Sequence, residues 1–161
     1  MEIRKFTPED TQQVLEICRE VRNYHIDMLG GYYRPLDDVA EAQTFLVSLS
    51  NKDVIALVAD EDGVIEGYLL ADVKVQPHLR APKVAHISNF GVRADVRHQG
   101  IGKKLMDAFF DLCRQEKVDE VKLGVCSNNQ SACRFYEKYG FEEYERRMHV
   151  RLNRADPIKN T

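Results

Sequence analysis

A chain of 161 residues, 43% hydrophobic and 30% charged, can bury one proper core and has the balance of an ordinary globular protein. A net charge of −3 argues against a nucleic-acid or anionic-membrane partner, and no apolar run approaches the roughly 20 residues of a membrane span. The start, Met1-Glu-Ile-Arg-Lys-Phe-Thr-Pro, lacks the apolar stretch of a signal peptide, so a cytoplasmic protein is expected.

In chain order, Glu2–Phe6 reads as a short strand. Thr7-Pro8-Glu9-Asp10 is a helix start, with Thr as cap, Pro at the first helical position and acids in the first turn. Val14, Ile17, Cys18 and Val21 recur at helical spacing, which predicts a helix to about Tyr24. Residues 23–35 are rich in Tyr, Gly and His without periodicity and read as a loop or broken helix; a second helix is predicted over 37–49. Residues 54–59 and 65–75 are apolar, β-branched strand candidates, joined by an Asp60-Glu-Asp-Gly63 turn. Another strand is predicted over 84–92 and a helix over 100–116, with Ile101, Leu105, Ala108, Phe109, Leu112 and Cys113 on one stripe. A strand over 120–126 follows, then a helix capped by Ser127 or Asn128 and ended by Gly140, then one or two strands within 141–152. This order predicts a mixed α/β sheet within one domain over 1–153, with a polar tail at 154–161. The four cysteines, Cys18, Cys113, Cys126 and Cys133, form no C-x-x-C pair and are expected reduced and packed as small hydrophobes; a zinc site would need tighter clustering with His, and no metal is expected.

Two stretches carry chemistry. In the first, a strand ending at Val92 enters a turn, and Gly100 and Gly102 open a helix. Bare N–H groups at a helix start, the positive end of the helix dipole and the open backbone of glycine together suit a phosphate group. Arg97, His98, Lys103 and Lys104 add donors around the turn. The spacing fails the Walker A pattern, and the dinucleotide fingerprint fails at Leu105, where a third Gly is required. In the second stretch, Asn129, Ala132, Cys133 and Tyr136 fall on one helix face. A ligand could lie along it; equally, Tyr136 reads as a core tyrosine with its hydroxyl tied to backbone.

Together the two stretches resemble the GNAT superfamily of acetyl-coenzyme-A-dependent N-acetyltransferases. Arg97-His-Gln-Gly-Ile-Gly102 is similar to that family's pyrophosphate loop, Arg/Gln-x-x-Gly-x-Gly/Ala. Asn129, Ala132, Phe135, Tyr136, Gly140 and Phe141 match its downstream signature in spacing. Weaker resemblance covers the opening strand, the Asp62–Tyr68 hairpin and Arg147-Met148, so that the likeness spans roughly 1–152.

The resemblance implies the GNAT fold, a mixed and mostly antiparallel central sheet of six to seven strands flanked by about four helices, and acetyl-CoA as cofactor. It places the diphosphate on backbone around Arg97, His98, Gln99, Gly100, Ile101, Gly102 and Lys103, and the pantetheine arm along Phe90, Gly91 and Val92. It gives Asn129 a hydrogen bond to that arm and makes Tyr136 the acid that protonates the leaving thiolate. Some members place a Glu base six residues before the position of Val92; here that residue is His86, read as base or water-holder, or as a plain strand histidine with deprotonation elsewhere or through water. The irregular residues 23–35 are the expected acceptor wall, with Tyr24, His25, Asp27, Tyr32, Tyr33 and Arg34 facing an amine, or else a tyrosine-rich surface or dimer contact. The implied activity is acetyl transfer to a primary amine of a small molecule or protein, with family habit suggesting a homodimer; the alternative is a non-catalytic module that senses acyl-CoA.

Overall fold

Arg4 shows how the first residues organise the chain. In the computed structural model, which describes residues 1–150 and Leu152, its guanidinium grips the buried Asp10 through two bonds of 2.8 Å each and reaches Asp60 at 2.8 Å. Asp10 in turn accepts from the Thr7 backbone at 2.9 Å, so the predicted helix start is built, as a 3₁₀ turn over Pro8–Asp10. The positive charge of Arg4 holds the Asp10 carboxyl below its ordinary range.

The chain forms two compact units, Met1–Gly124 and the residues from Val125 on. The first contains β1 (Glu2–Lys5), α1 (Thr11–Met28), α2 (Asp38–Leu49), β2 (Val54–Glu61), β3 (Val64–Val75), β4 (Lys83–Val92), α3 (Ile101–Gln115) and β5 (Glu120–Leu123). Its strands form one sheet in chain order. The first three pairings are antiparallel, and β5 joins β4 in parallel because α3 carries the chain back across the sheet. α1 and α2 bury Val14, Leu15, Ile17, Cys18 and Phe45 with Tyr68 and Leu70 of β3. α3 buries Ile101, Leu105, Met106, Phe109 and Cys113.

Two glycines set how closely the helices approach. A Cβ on Gly91 would lie 2.9 Å from the Tyr68 ring and 3.1 Å from both Ile17 and Val21 of α1; one on Gly67 would lie 3.0 Å from Leu105 of α3. Gly91 pairs with Tyr68, the residue after Gly67, so the two glycines face opposite sides of the sheet. Gly91→Ala is expected to overpack α1 at a cost of roughly 1–3 kcal/mol. In a chain of this size that lowers Tm by about 2–12 °C in a thermal melt; an unchanged Tm would show that α1 can back away freely.

The second unit contains α4, Gln130–Glu137. Its cap is Asn129, whose Oδ1 accepts from the Ala132 N–H at 3.1 Å, rather than Ser127 or Asn128. Two expectations need correction. α1 continues to Met28, because the tyrosine-rich segment begins as helix and breaks only at Gly30 and Gly31. The sheet has five strands among the described residues, not six or seven, since 141–150 form none. That segment carries five charges within Glu142–Arg147, pairs them locally (Arg146 with Glu143 at 2.7 Å), and leaves Tyr144, Met148 and Val150 exposed. A strand needs a neighbour for its backbone groups and one face to bury, and residues 142–150 bury none. The predicted tail at 154–161 lies outside the described residues.

Candidate functional site

The turn between β4 and α3 is held open at its centre and fixed at its start. His98 and Gly100 both take left-handed backbone, at φ 65° and 85°. A left-handed residue leading into a helical one turns successive N–H groups toward one concave side. Among the described residues no side-chain bond caps α3 at Gly100. His98, Gln99 and Gly100 are exposed, whereas Ile101 is buried and offers only its backbone. Gly102 lies in the first turn of the helix. The Lys103 ammonium is 2.5 Å from Asp107 on its own helix.

Arg97 serves the loop itself. Its Nε donates to the Val92 carbonyl at 3.0 Å, and Nη2 lies 3.9 Å from Glu20 of α1. The same Glu20 carboxylate accepts from the Ala94 N–H at 2.8 Å. Sequence reasoning missed Glu20, which lies 74 residues from Ala94 and reads locally as one more solvated acid on α1. No local signal could have found it, because its role exists only once α1 packs on β4.

The strand feeding this turn is irregular where it matters. Ser88 is the extra residue of a β-bulge, since Leu70 pairs with Asn89 and Ala71 with Ile87. Pairing between β4 and β5 covers only Val84–Ile87, so Phe90, Gly91 and Val92 run on past the end of β5. Gly91 is buried with its Cα against α1, which leaves its backbone as the only means of contact. Asn89 accepts from the buried Tyr68 hydroxyl at 2.8 Å. His86 is exposed, with Asp72 of β3 and Lys122 of β5 as its cross-strand partners.

The four aromatic residues assigned to an acceptor wall do come together. Ring centroids lie 5.9 Å apart for Tyr24 and His25, 6.3 Å for His25 and Tyr33, and 5.0 Å for Tyr32 and Tyr33. Burial, with Arg22's charge second, lowers the His25 pKa below its ordinary value. Tyr24 lies four residues after Glu20, one turn along the same face of α1, so one helix carries both the loop clamp and the start of the cluster.

In the second unit, Tyr136 packs edge-on against Phe135 at 5.5 Å and Phe141 at 5.7 Å. Burial, helped by the Cys133 thiol, pushes its phenol up to about 12. Asn129 uses its oxygen on the helix cap, which leaves its amide N–H groups to donate. The cysteines are all unbridged, Cys18 and Cys113 buried and Cys126 and Cys133 half-buried. Among the described residues no helix is long and apolar enough to cross a membrane.

The model of the "Acetyltransferase (GNAT) family" matches residues 13–141. The chain is 35% identical over 89 residues to the L-amino acid N-acetyltransferase AaaT of Escherichia coli, a match covering 53% of this chain and 52% of that one. It is 25% identical over 169 residues to N-alpha-acetyltransferase 60 of Drosophila melanogaster, covering 88% of this chain and 59% of that protein. The matches thus span about half the length of the curated relatives. Among solved structures, a mutant of the BH1408 protein from Bacillus halodurans superposes with a TM-score of 0.86 at 25% identity, covering 94% of this chain and 99% of that one.

Proposed function

This chain belongs to the acetyltransferase (GNAT) family, and from that premise we propose that it transfers the acetyl group of acetyl-CoA to a primary amine. The observation that carries the reading is the uncapped start of α3, with His98 and Gly100 in left-handed backbone and β4 running past β5 beside it. These residues fit a diphosphate and an extended arm: N–H groups and a helix dipole face an anion, and strand backbone continues without β5 alongside. When bound, acetyl-CoA supplies an activated acetyl thioester.

The protein's own part follows from its residues. The backbone from Arg97 to Lys103 holds the phosphoryl groups, and the end of β4 holds the arm at Phe90, Gly91 and Val92. Arg97 and Glu20 keep the turn in shape. The acceptor lies against Tyr24, His25, Tyr32 and Tyr33. His86, exposed between Asp72 and Lys122, takes the ammonium's proton directly or through a held water. The neutral nitrogen forms a bond to the acetyl carbon as the C–S bond breaks, with β4 backbone N–H groups polarising the carbonyl. Tyr136, as general acid, donates its phenolic hydrogen to the departing sulfur; the ammonium's proton leaves from His86 to solvent, and the second proton, shed by nitrogen as the amide forms, returns through water to the Tyr136 oxygen. Asn129 donates its amide to the cofactor arm. The roles of Asn129 and Tyr136 rest on motif spacing, and Tyr136's pKa of about 12 keeps it a donor throughout the physiological range.

Thermal melting tests the cofactor and thiol release tests the reaction. Acetyl-CoA at 100 times its Kd is expected to stabilise the fold by about 2.7 kcal/mol, a Tm rise of roughly 5–11 °C, with ATP and NAD giving much less. A panel of amines is then expected to include one that releases free thiol. No rise with acetyl-CoA, or a larger rise with ATP, would refute the reading.

A further inference from the structure

α1 carries two arginines on its exposed side, and they are treated differently. Arg19 has a partner, with its Nη2 2.6 Å from Asp38. Arg22, almost one turn further on and half-buried, has no carboxylate within 4 Å among the described residues. Its guanidinium carbon instead sits 5.3 Å from the centre of the Tyr33 ring. A ring face attracts the charge but accepts none of the in-plane N–H donors of the fork, which match the two oxygens of a carboxylate. Around it stand His25 and the three tyrosines, Tyr24, Tyr32 and Tyr33, which are 45%, 46% and 38% exposed. The aromatic rings supply no negative charge, and the Glu41 carboxylate, which accepts from the Cys18 thiol at 3.9 Å, is not within 4 Å of the guanidinium. A half-buried cation among open aromatic rings is a surface prepared for an anion joined to an apolar group.

We propose that the acceptor is a free α-amino acid with an apolar or aromatic side chain, its carboxylate bound by Arg22 and its side chain set against Tyr24, Tyr32 and Tyr33. This rests on the reading of that cluster as the acceptor wall of an acetyltransferase. It selects among the acceptors which that reading allows. A polyamine brings only positive charge to an arginine that already lacks a counter-ion. A peptide N-terminus presents an uncharged amide where the free acid presents its carboxylate. Arg22 is then a specificity-determining residue, and sequence alone hides it in the polar run Arg19-Glu20-Val21-Arg22.

The test compares L-phenylalanine, L-phenylalaninamide, phenethylamine, spermidine and a tetrapeptide as acceptors for the full chain, with free thiol as readout. L-Phenylalanine is expected to exceed the amide at least 10-fold in kcat/KM. The amide's amine loses its proton more readily, which biases the comparison against the proposal. Arg22→Gln is expected to raise KM for phenylalanine roughly 10–100-fold and to erase the preference over the amide. Arg22→Lys should restore part of it, and acetyl-CoA affinity should hold in both variants. Preference for the amide, spermidine or peptide in the unmodified chain would overturn the proposal without needing any variant to fold, and so would an Arg22→Gln enzyme that keeps its discrimination. Thermal shifts with acetyl-CoA separate the two levels. If the cofactor binds and the wrong amine is acetylated, only the amino-acid assignment falls; if the cofactor does not bind, the acetyltransferase reading falls with it.

Discussion

Gly102→Asp is expected to remove acetyl-CoA binding while leaving the fold intact. Position 102 is the second residue of α3, where a negative side chain is favourable to the helix itself because it faces the positive end of the dipole. The same charge stands where a diphosphate is proposed to sit. Two unit charges about 5 Å apart repel by roughly 3 kcal/mol at the effective dielectric of a protein surface, so affinity should fall about 100-fold or more. Isothermal titration with acetyl-CoA reads the loss, and an unliganded melting curve at or above the parent Tm shows that the protein is still folded. The position gives a cleaner test than Gly100, where φ is 85° and any side chain adds backbone strain. Binding retained within a few-fold in Gly102→Asp would show that the phosphates lie elsewhere.

Tyr136→Phe is expected to lower kcat about 10–1000-fold with little change in cofactor affinity, the range spanned by a lost acid or a lost hydrogen-bond donor to developing charge. The phenol, pushed up to about 12 by burial, keeps its proton wherever the enzyme works. Complete transfer from such a phenol to a thiolate of ordinary basicity, about 8.5, runs uphill by about 5 kcal/mol. Under the proposed mechanism most of its contribution therefore comes from a hydrogen bond to the charge growing on sulfur, before the proton crosses. The sign for pH follows: a raised pKa leaves the donor form in place as pH climbs, so turnover should rise while the acceptor amine deprotonates and show no Tyr136-dependent fall below about pH 11. The ring can keep its edge-on contacts with Phe135 and Phe141 after the substitution, so the fold is not the variable. Unchanged turnover in Tyr136→Phe would reduce Tyr136 to packing.

Much of the candidate site is legible because its chemistry is local. Gly100 and Gly102 announce an uncovered helix start, since their freedom of backbone and the position of a helix N-terminus are properties of neighbours in the chain. Asn129 three residues before Ala132 caps the helix that carries Tyr136 by the same short-range logic, although the cap lies one or two residues later than propensity suggested. The stretch from 141 to 150 misled because apolar residues at alternate positions, Tyr144, Met148 and Val150, look like a strand whether or not a neighbour exists to pair with them.

What only the tertiary structure decided lies between distant elements. Glu20 looks solvated until α1 lies on β4 and delivers its carboxylate to Ala94. Arg22 looks like its neighbour Arg19 until one meets Asp38 and the other the ring of Tyr33. β4 runs on past its pairing with β5 because β5 is four residues long and pairs with Val84–Ile87 alone. The amino-acid sequence by itself determined the family, the glycine turn before α3 and the order of helices and strands up to Glu137, because periodicity, caps and backbone freedom act over a few residues. Packing decided which charges meet which partners, because an ion pair depends on separations in space that sequence distance does not encode.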